Sequence, residues 1–418
     1  MKFLLILLLL IPVITSSAKP KSAKSQKETK GGKDPKKEQA LRETVKANTK
    51  FVINFFKHLT SRSSQEKNSP PKNVVLSPFS ISSAFSMMLL GATSKTHQEM
   101  WKGLSLNNAR CREMEVHRAY SNLLQMLNEP KSSLQVHIGN AIFLKDKLTV
   151  LESFKDDTKR YYHAEIIQED FSDLKKVEKK INRYVKNKTK GKIDELVKDL
   201  HNDTKMVLIN YVLFKGEWQK TFHPDSTRVG KFFVDENTEV DVPMMHRTGR
   251  YNTFHDTDLP CTVVELPYKD NASMIIAVAE PGKIHEVERG MSAKTIQRWR
   301  TSLIEGFIDL SVPKFSISST IDLKEVLRAL GIRTAFSKDA KFPGITRDIK
   351  LKVGKAVHKA VLDVDEKGTV AAGATAIEMV RFSLLEKIQI NRPFISIICE
   401  HKTNSILFMA TVMNPSRK

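Results

Sequence analysis

Between a strand-like run, Ala356 to Asp363, and the apolar run Ile388 to Cys399 lies a stretch with two permitted conformations. It reads Glu366-Lys-Gly-Thr-Val-Ala-Ala-Gly-Ala-Thr375 and continues Ala-Ile-Glu-Met-Val-Arg-Phe-Ser383. The first half is almost all small and uncharged, and Ala371, Ala372 and Ala374 are unbranched at Cβ. Such a segment can stand in solvent as a loop. It can also enter the middle of a β-sheet, which a bulky or charged side chain at every second position would forbid. A loop with two conformations is a device that stores energy and acts as a switch. The same residues also read as a flexible Ala/Gly linker, and alone they do not decide between the two.

The chain opens Met1-Lys2, runs apolar from Phe3 to Ile14 and reaches Ser16-Ser17-Ala18. A basic start, a short apolar run and small residues are the pattern of a secretory signal, here residues 1–18, cleaved after Ala18. The apolar run is too short to span a bilayer, and no later run reaches the required length. The expectation is a secreted, extracellular protein with no membrane span. Asn-x-Ser/Thr sequons at Asn187, Asn202 and Asn271 suit that compartment as glycosylation sites. The cysteines Cys111, Cys261 and Cys399 are odd in number, so at least one thiol is free and no disulfide framework is needed.

Formal net charge is +21, and two segments carry much of it. Lys19 to Lys37 holds eight lysines against Glu28 and Asp34, with Pro and Gly and no apolar period. It reads as a disordered basic tail, so that residues 19–47 are tail and the start of a first helix. Lys175 to Lys192 holds nine basic residues against Glu178 alone. There Lys175, Lys179 and Arg183 repeat at helical spacing opposite Val177, Ile181 and Tyr184. Lys175, Lys176, Lys179, Lys180 and Arg183 therefore read either as a solvated helix face or as a heparin-like polyanion site whose binding would depend on salt. Nucleic acid is not an expected partner, since no nucleic-acid motif is present.

From Asn48 onward nothing marks a cut, so residues 48–418 read as one domain. Val52, Phe55, Phe56 and Leu59 give a helix over about Glu38 to Leu59, and Ser82 to Leu90 and Glu113 to Leu127 give two more. Strand patterns follow at Val136–Leu144, Met206–Phe214, Val240–Met244, Thr262–Leu266, Met274–Ala279 and Ile308–Val312. The runs Ile388–Cys399 and Ser405–Met413 are nearly continuous and apolar, as fully buried strands are. Helices gather early and strands late, which argues an α+β fold with large mixed sheets. There is no GxSxG, Walker loop, GxGxxG, HExxH or CxxC, and the histidines lack ligand spacing. No nucleophile–base pair, metal site or cofactor site can be nominated, so no enzyme is expected.

Several segments together resemble the serpin family over roughly Asn48 to Pro415. They are Asn73-Val-Val-Leu-Ser-Pro-Phe-Ser-Ile81, Leu89-Leu-Gly-Ala92, Asn210-Tyr-Val-Leu-Phe-Lys-Gly-Glu-Trp218, Val357-His-Lys-Ala360, Asp365-Glu-Lys-Gly-Thr369, Asn391-Arg-Pro-Phe394 and Val412-Met-Asn-Pro415. The resemblance is to the extracellular, antitrypsin-like branch. It implies three β-sheets, about nine helices and an exposed mobile reactive-centre loop near residues 366–387. It further implies that Ser77, Ser80, Asn210 and His358 form a hydrogen-bonded gate beneath the main sheet. Trp218 would pack where loop insertion starts, and Lys314 would pair with Glu366 at the loop's root. The hinge would be Glu366, Gly368, Thr369, Val370, Ala371, Ala372, Gly373 and Ala374, with Val370 standing where the family usually has Glu.

Serpins of this type inhibit serine proteases by suicide: the protease cleaves the loop, becomes acylated, and is trapped in a covalent complex when the loop inserts as an extra strand. At ~3.3 Å per strand residue about sixteen residues span ~50 Å, roughly one molecular length. Counting sixteen on from Glu366 gives Phe382, with Ser383 after the cleaved bond, and Phe suits a chymotrypsin-like pocket. Arg381 immediately before it keeps a trypsin-like target open. Another alternative is a non-inhibitory carrier of a small lipophilic hormone, which Leu151–Phe154, Tyr184–Thr189 and Phe408–Pro415 resemble. Against that stands Asn404, at the position where the steroid-carrying member has Trp. The expected state is a monomer.

Overall fold

The computed structural model describes residues 34–63, 72–127, 134–368 and 385–417. Helix α1 (Pro35–Ser63) starts at Asp34, whose carboxylate accepts the Lys36 N–H at 3.1 Å and whose carbonyl accepts that of Glu38 at 3.1 Å. Proline in the first helical position has no N–H to leave unpaired. The first helix thus starts within residues 19–47, where its start is expected. Residues 35–47 belong to the folded unit, and Ala40, Val45 and Ala47 are buried in it.

Strand β1 (Val74–Leu76) leads into α2 (Pro78–Leu89), α3 (Ser94–Gly103), α4 (Glu113–Leu127), β2 (Leu134–Lys145), α5 (Glu152–Tyr162), β3 (Glu165–Glu169), α6 (Leu174–Lys188) and β4 (Met206–Gly216). Next come β5 (Arg228–Phe233), β6 (Glu239–Asp256), β7 (Cys261–Pro267), β8 (Ala272–Ala279), α7 (Ile284–Gly290), α8 (Ala293–Thr301), β9 (Ile304–Pro313), β10 (Phe315–Asp322) and α9 (Leu323–Ala329). The chain closes with β11 (Lys355–Val364), β12 (Glu386–Gln389), β13 (Phe394–Glu400) and β14 (Ile406–Val412). The described residues thus hold nine α-helices with large mixed sheets, the α+β architecture expected.

The strands pair into a five-stranded sheet, ordered β10-β11-β4-β2-β3, and a nine-stranded network. Three sheets are expected, and the reason for two lies in β6. Its eighteen residues pair with β5 at one end, with β7 at the other and with β9 between, so strands of two sheets share one path. The run Ile388–Cys399 is likewise split between β12 and β13. Pro393 has no N–H to give a ladder and constrains Arg392 before it.

Both faces of the five-stranded sheet are covered, which explains its near-continuous apolar strands. Met206, Leu208, Val212 and Phe214 of β4 enter the large core, while Val207, Ile209, Tyr211 and Leu213 enter a second core beneath α6. In β11, Ala356, Ala360 and Leu362 face the large core, and Val357 and Val361 face the second. Val177, Ile181 and Val185 of α6, with Ile193, Leu196, Val197 and Leu200 after it, lie across β2, β4 and β11.

Candidate functional site

Strands β4 and β11 are parallel neighbours, paired from Lys355 with Val207 to Val361 with Leu213. Parallel pairing is slightly less stable per residue than antiparallel pairing. A chain that leaves β11 and turns back runs antiparallel to both strands. The seam between them is therefore where it can be received with two antiparallel ladders.

The residues leaving β11 are tied down at the top of this seam. The Trp218 indole N–H donates to Asp365 O at 3.0 Å, its backbone N–H donates to Lys367 O at 3.1 Å, and Phe222 N–H donates to Glu366 O at 2.8 Å. Trp218 is buried and stacks on Tyr268, with ring centroids 4.4 Å apart. Gly368 has φ +108°, and a Cβ there would lie 2.3 Å from Gly216 O and 2.5 Å from Trp218 N. Only glycine fits that turn. Lys314 Nζ donates to the Glu366 carboxylate at 2.9 Å, and Thr227 Oγ1 donates to it at 2.9 Å. Burial pushes the Glu366 carboxyl up, but the hydrogen bonds from Lys314 and Thr227 outweigh it and hold the group below its ordinary range. With Lys314 almost half exposed, the pair is worth about 1 kcal/mol, enough to restrain the root and little enough to release it.

Ser77, Ser80, Asn210 and His358, far apart in sequence, meet beneath β4 and β11, all buried. Asn210 Oδ1 accepts from Ser80 Oγ at 2.9 Å and from His358 Nδ1 at 2.5 Å, while His358 Nε2 accepts the Ser77 backbone N–H at 3.1 Å. Since a backbone N–H can only donate, His358 is neutral with its proton on Nδ1. Asn140, which sequence reasoning missed, completes the group. Its Oδ1 accepts from Asn210 Nδ2 at 2.7 Å, and its own Nδ2 donates to Ser83 Oγ at 3.4 Å. It stands directly across from Asn210 in the β2–β4 register, and an Asn inside the apolar run Val136–Leu144 was the available signal.

Burial pulls the His358 pKa down to about 3. Protonation below its ordinary value near 6.5 then favours the unfolded chain, so stability is full above pH 6.5 and falls as pH drops toward 3. His358 alone is expected to account for about 2 kcal/mol of lost stability between pH 6.5 and 5. Urea midpoints across that range check this, and His358→Gln should flatten the decline. An unchanged slope in the variant would remove His358 as its source.

On α6, Lys175, Lys176, Lys179, Lys180 and Arg183 are all exposed. Two of the five residues read as a polyanion site are partly neutralised. Lys175 pairs with Glu178 at 3.0 Å and Asp199 at 3.7 Å, and Lys180 pairs with Glu169. Lys176, Lys179 and Arg183 make no ion pair among the described residues. Asn187, Asn202 and Asn271 are exposed. The three cysteines are free, and burial pushes the thiols of Cys261 and Cys399 up, to about 12 and about 11. No metal-binding cluster occurs among the described residues, and none of their helices is long and apolar enough to cross a membrane.

Asn404 lies in a left-handed turn at φ +61°, and its Oδ1 accepts from Arg300 at 2.7 Å. Phe382, Ser383, Arg381 and the hinge from Thr369 to Ala374 lie outside the described residues.

The model of the family described as Serpin (serine protease inhibitor) matches residues 46–415. Serine protease inhibitor A6 of Xenopus laevis is 42% identical, over 95% of this chain and 89% of its own. Human alpha-1-antichymotrypsin is 42% identical, over 89% of this chain and 88% of its own. Among solved structures, human thyroxine-binding globulin complexed with thyroxine superposes with a TM-score of 0.84 at 39% identity, covering 90% of this chain and 99% of that one.

Proposed function

The chain belongs to the serpin family, and from that premise we propose that it is a secreted suicide inhibitor of a chymotrypsin-like serine protease, cleaved between Phe382 and Ser383. The observation that carries this reading is the parallel β4–β11 seam with the loop's root fastened at its top. The protease serine attacks the Phe382 carbonyl, an ester to Phe382 forms, and the Ser383 amine leaves with the proton. Water would normally hydrolyse that ester. Release of the Lys314–Glu366 root lets the freed arm enter the seam first, carrying the acylated enzyme with it.

The hinge supports insertion chemically. Thr369, Val370, Ala371, Ala372, Gly373 and Ala374 include no charge and no bulky ring, and Val is a good strand former. Secretion rests on the signal-like residues 1–18, and glycosylation on the three exposed sequons. A heparin-like glycosaminoglycan is the partner read for α6, supported by exposed Lys176, Lys179 and Arg183, which make no ion pair among the described residues. A second reading, a carrier of a small lipophilic hormone, draws on the likeness to the thyroxine-binding protein. The Arg300–Asn404 bond speaks against it, because it occupies with a polar pair the turn where the steroid-carrying member has Trp.

Mixing the purified protein with chymotrypsin is expected to give an SDS-stable complex and a released peptide beginning at Ser383. Phe382→Ala should abolish the complex with this enzyme. Clean cleavage of the wild type with no complex overturns the inhibitor reading. A complex with trypsin and a peptide beginning at Phe382 moves the target class to that of Arg381.

A further inference from the structure

Asn187 stands among the cations of α6. At 3.6 residues per turn, Lys176, Lys180, Arg183 and Asn187 follow one i, i+4, i+7, i+11 stripe, and Lys179 lies one turn before Arg183. The opposite face, with Val177, Ile181 and Val185, is buried against the sheet, so these side chains share the solvent side. Asn187 is exposed in the last turn of the helix, and its side chain makes no hydrogen bond among the described residues. The sequon's Thr189, by contrast, is built into the helix end. Its hydroxyl donates to Val185 O at 2.8 Å and accepts from Ile193 N–H at 3.1 Å.

A sulfated chain lying on α6 has to approach Lys176, Lys179 and Arg183, the cations of this helix that make no ion pair among the described residues, and release their counterions. An N-linked glycan on Asn187 is rooted one turn from Arg183 on that same face. We propose that a glycan at Asn187 and a sulfated polysaccharide on α6 are mutually exclusive occupants of one helix face. Occupancy of this one sequon then sets whether the protein is a polyanion binder. The inference rests on the polyanion reading of α6 given above. Asn202 and Asn271 lie off the helix and serve as internal controls.

The test uses full-length protein from a glycosylating host, with Asn187 occupancy read by mass spectrometry and heparin as the probe. Wild type, Asn187→Gln, Asn202→Gln and Asn187→Gln combined with Lys176→Glu, Lys179→Glu and Arg183→Glu are compared. Asn187→Gln is expected to elute from a heparin column at higher salt than wild type. Its plot of log affinity against log salt should be steeper by about 2 to 3, as three recovered anion contacts would make it. Asn202→Gln should match wild type, and the charge-reversed variant should elute earliest. An occupied wild type that elutes with Asn187→Gln overturns the exclusion, while the polyanion reading stands if charge reversal still shifts elution. Charge reversal without effect overturns the polyanion reading itself. A wild type with Asn187 bare also overturns the proposal. Equal urea midpoints show that each variant is folded.

Discussion

Replacing Asn210 by alanine is expected to lower stability by about 3–5 kcal/mol, where a typical single substitution removes about 1. Its amide accepts from Ser80 and His358 and donates to Asn140 Oδ1 and to Ser80 O, the last at 3.1 Å, all in a buried setting. Truncation leaves the Ser80 hydroxyl, the His358 Nδ1–H and the Asn140 carbonyl without partners, and no water has ready access to replace them. Each orphaned buried group costs about 1–3 kcal/mol, and relaxation recovers only part of the sum. Asn140→Ala, at the edge of the same group, should cost visibly less, since Asn210 keeps its bonds to Ser80 and His358. Urea denaturation with an unchanged m value checks both. A loss under about 1 kcal/mol for Asn210→Ala would mean that the cluster is not a cooperative polar lock.

The buried polar cluster was legible from sequence because its members sit in specific local strings, Ser77-Pro-Phe-Ser80, Asn210 before Tyr211, and His358 after Val357. Their meeting was implied by resemblance and is seen in the distances. Asn140 was missed because it was read within an apolar strand, where one polar residue seems a minor interruption; buried, it demands a partner. Thr227 and Phe222 at the loop's root were not legible at all. They lie in irregular chain between β4 and β5, where no period announces which groups will face Glu366. The length of β6 was underread at Val240–Met244, since the following His246-Arg-Thr-Gly-Arg-Tyr-Asn252 is polar. That stretch is held by its ladder to β9 rather than by apolar burial alone. Of the short helices, α3 buries only Thr96 and Met100 and so carries no apolar stripe for sequence reading to find.

Severing the loop is expected to make the protein more stable, the reverse of what a backbone cut ordinarily does. In the intact chain the stretch from Thr369 to Phe382 is tethered at both ends, to β11 through Gly368 and to β12 through Leu385. Entry between β4 and β11 would widen their ~4.8 Å spacing to about twice that and requires the far end to travel with the arm. The β12 tether forbids this until the bond is cut. Once cut, under the inhibitory reading, the arm would exchange one parallel pairing for two antiparallel ladders along the seam. The Lys314–Glu366 pair, worth about 1 kcal/mol, restrains the root but would not by itself hold out a severed arm. Under the inhibitory reading, the tether and the buried polar cluster of Asn210 and His358 beneath the seam would keep the intact state metastable.

The decisive measurement is the melting temperature of the protein before and after its loop is cut by a non-serine protease that is not itself trapped. The account predicts that the cut form melts higher, by on the order of 10 °C or more, as an added central strand in a domain of this size requires. A cut form that melts at or below the intact temperature would contradict it, and the spring on which the inhibitory reading depends would not exist.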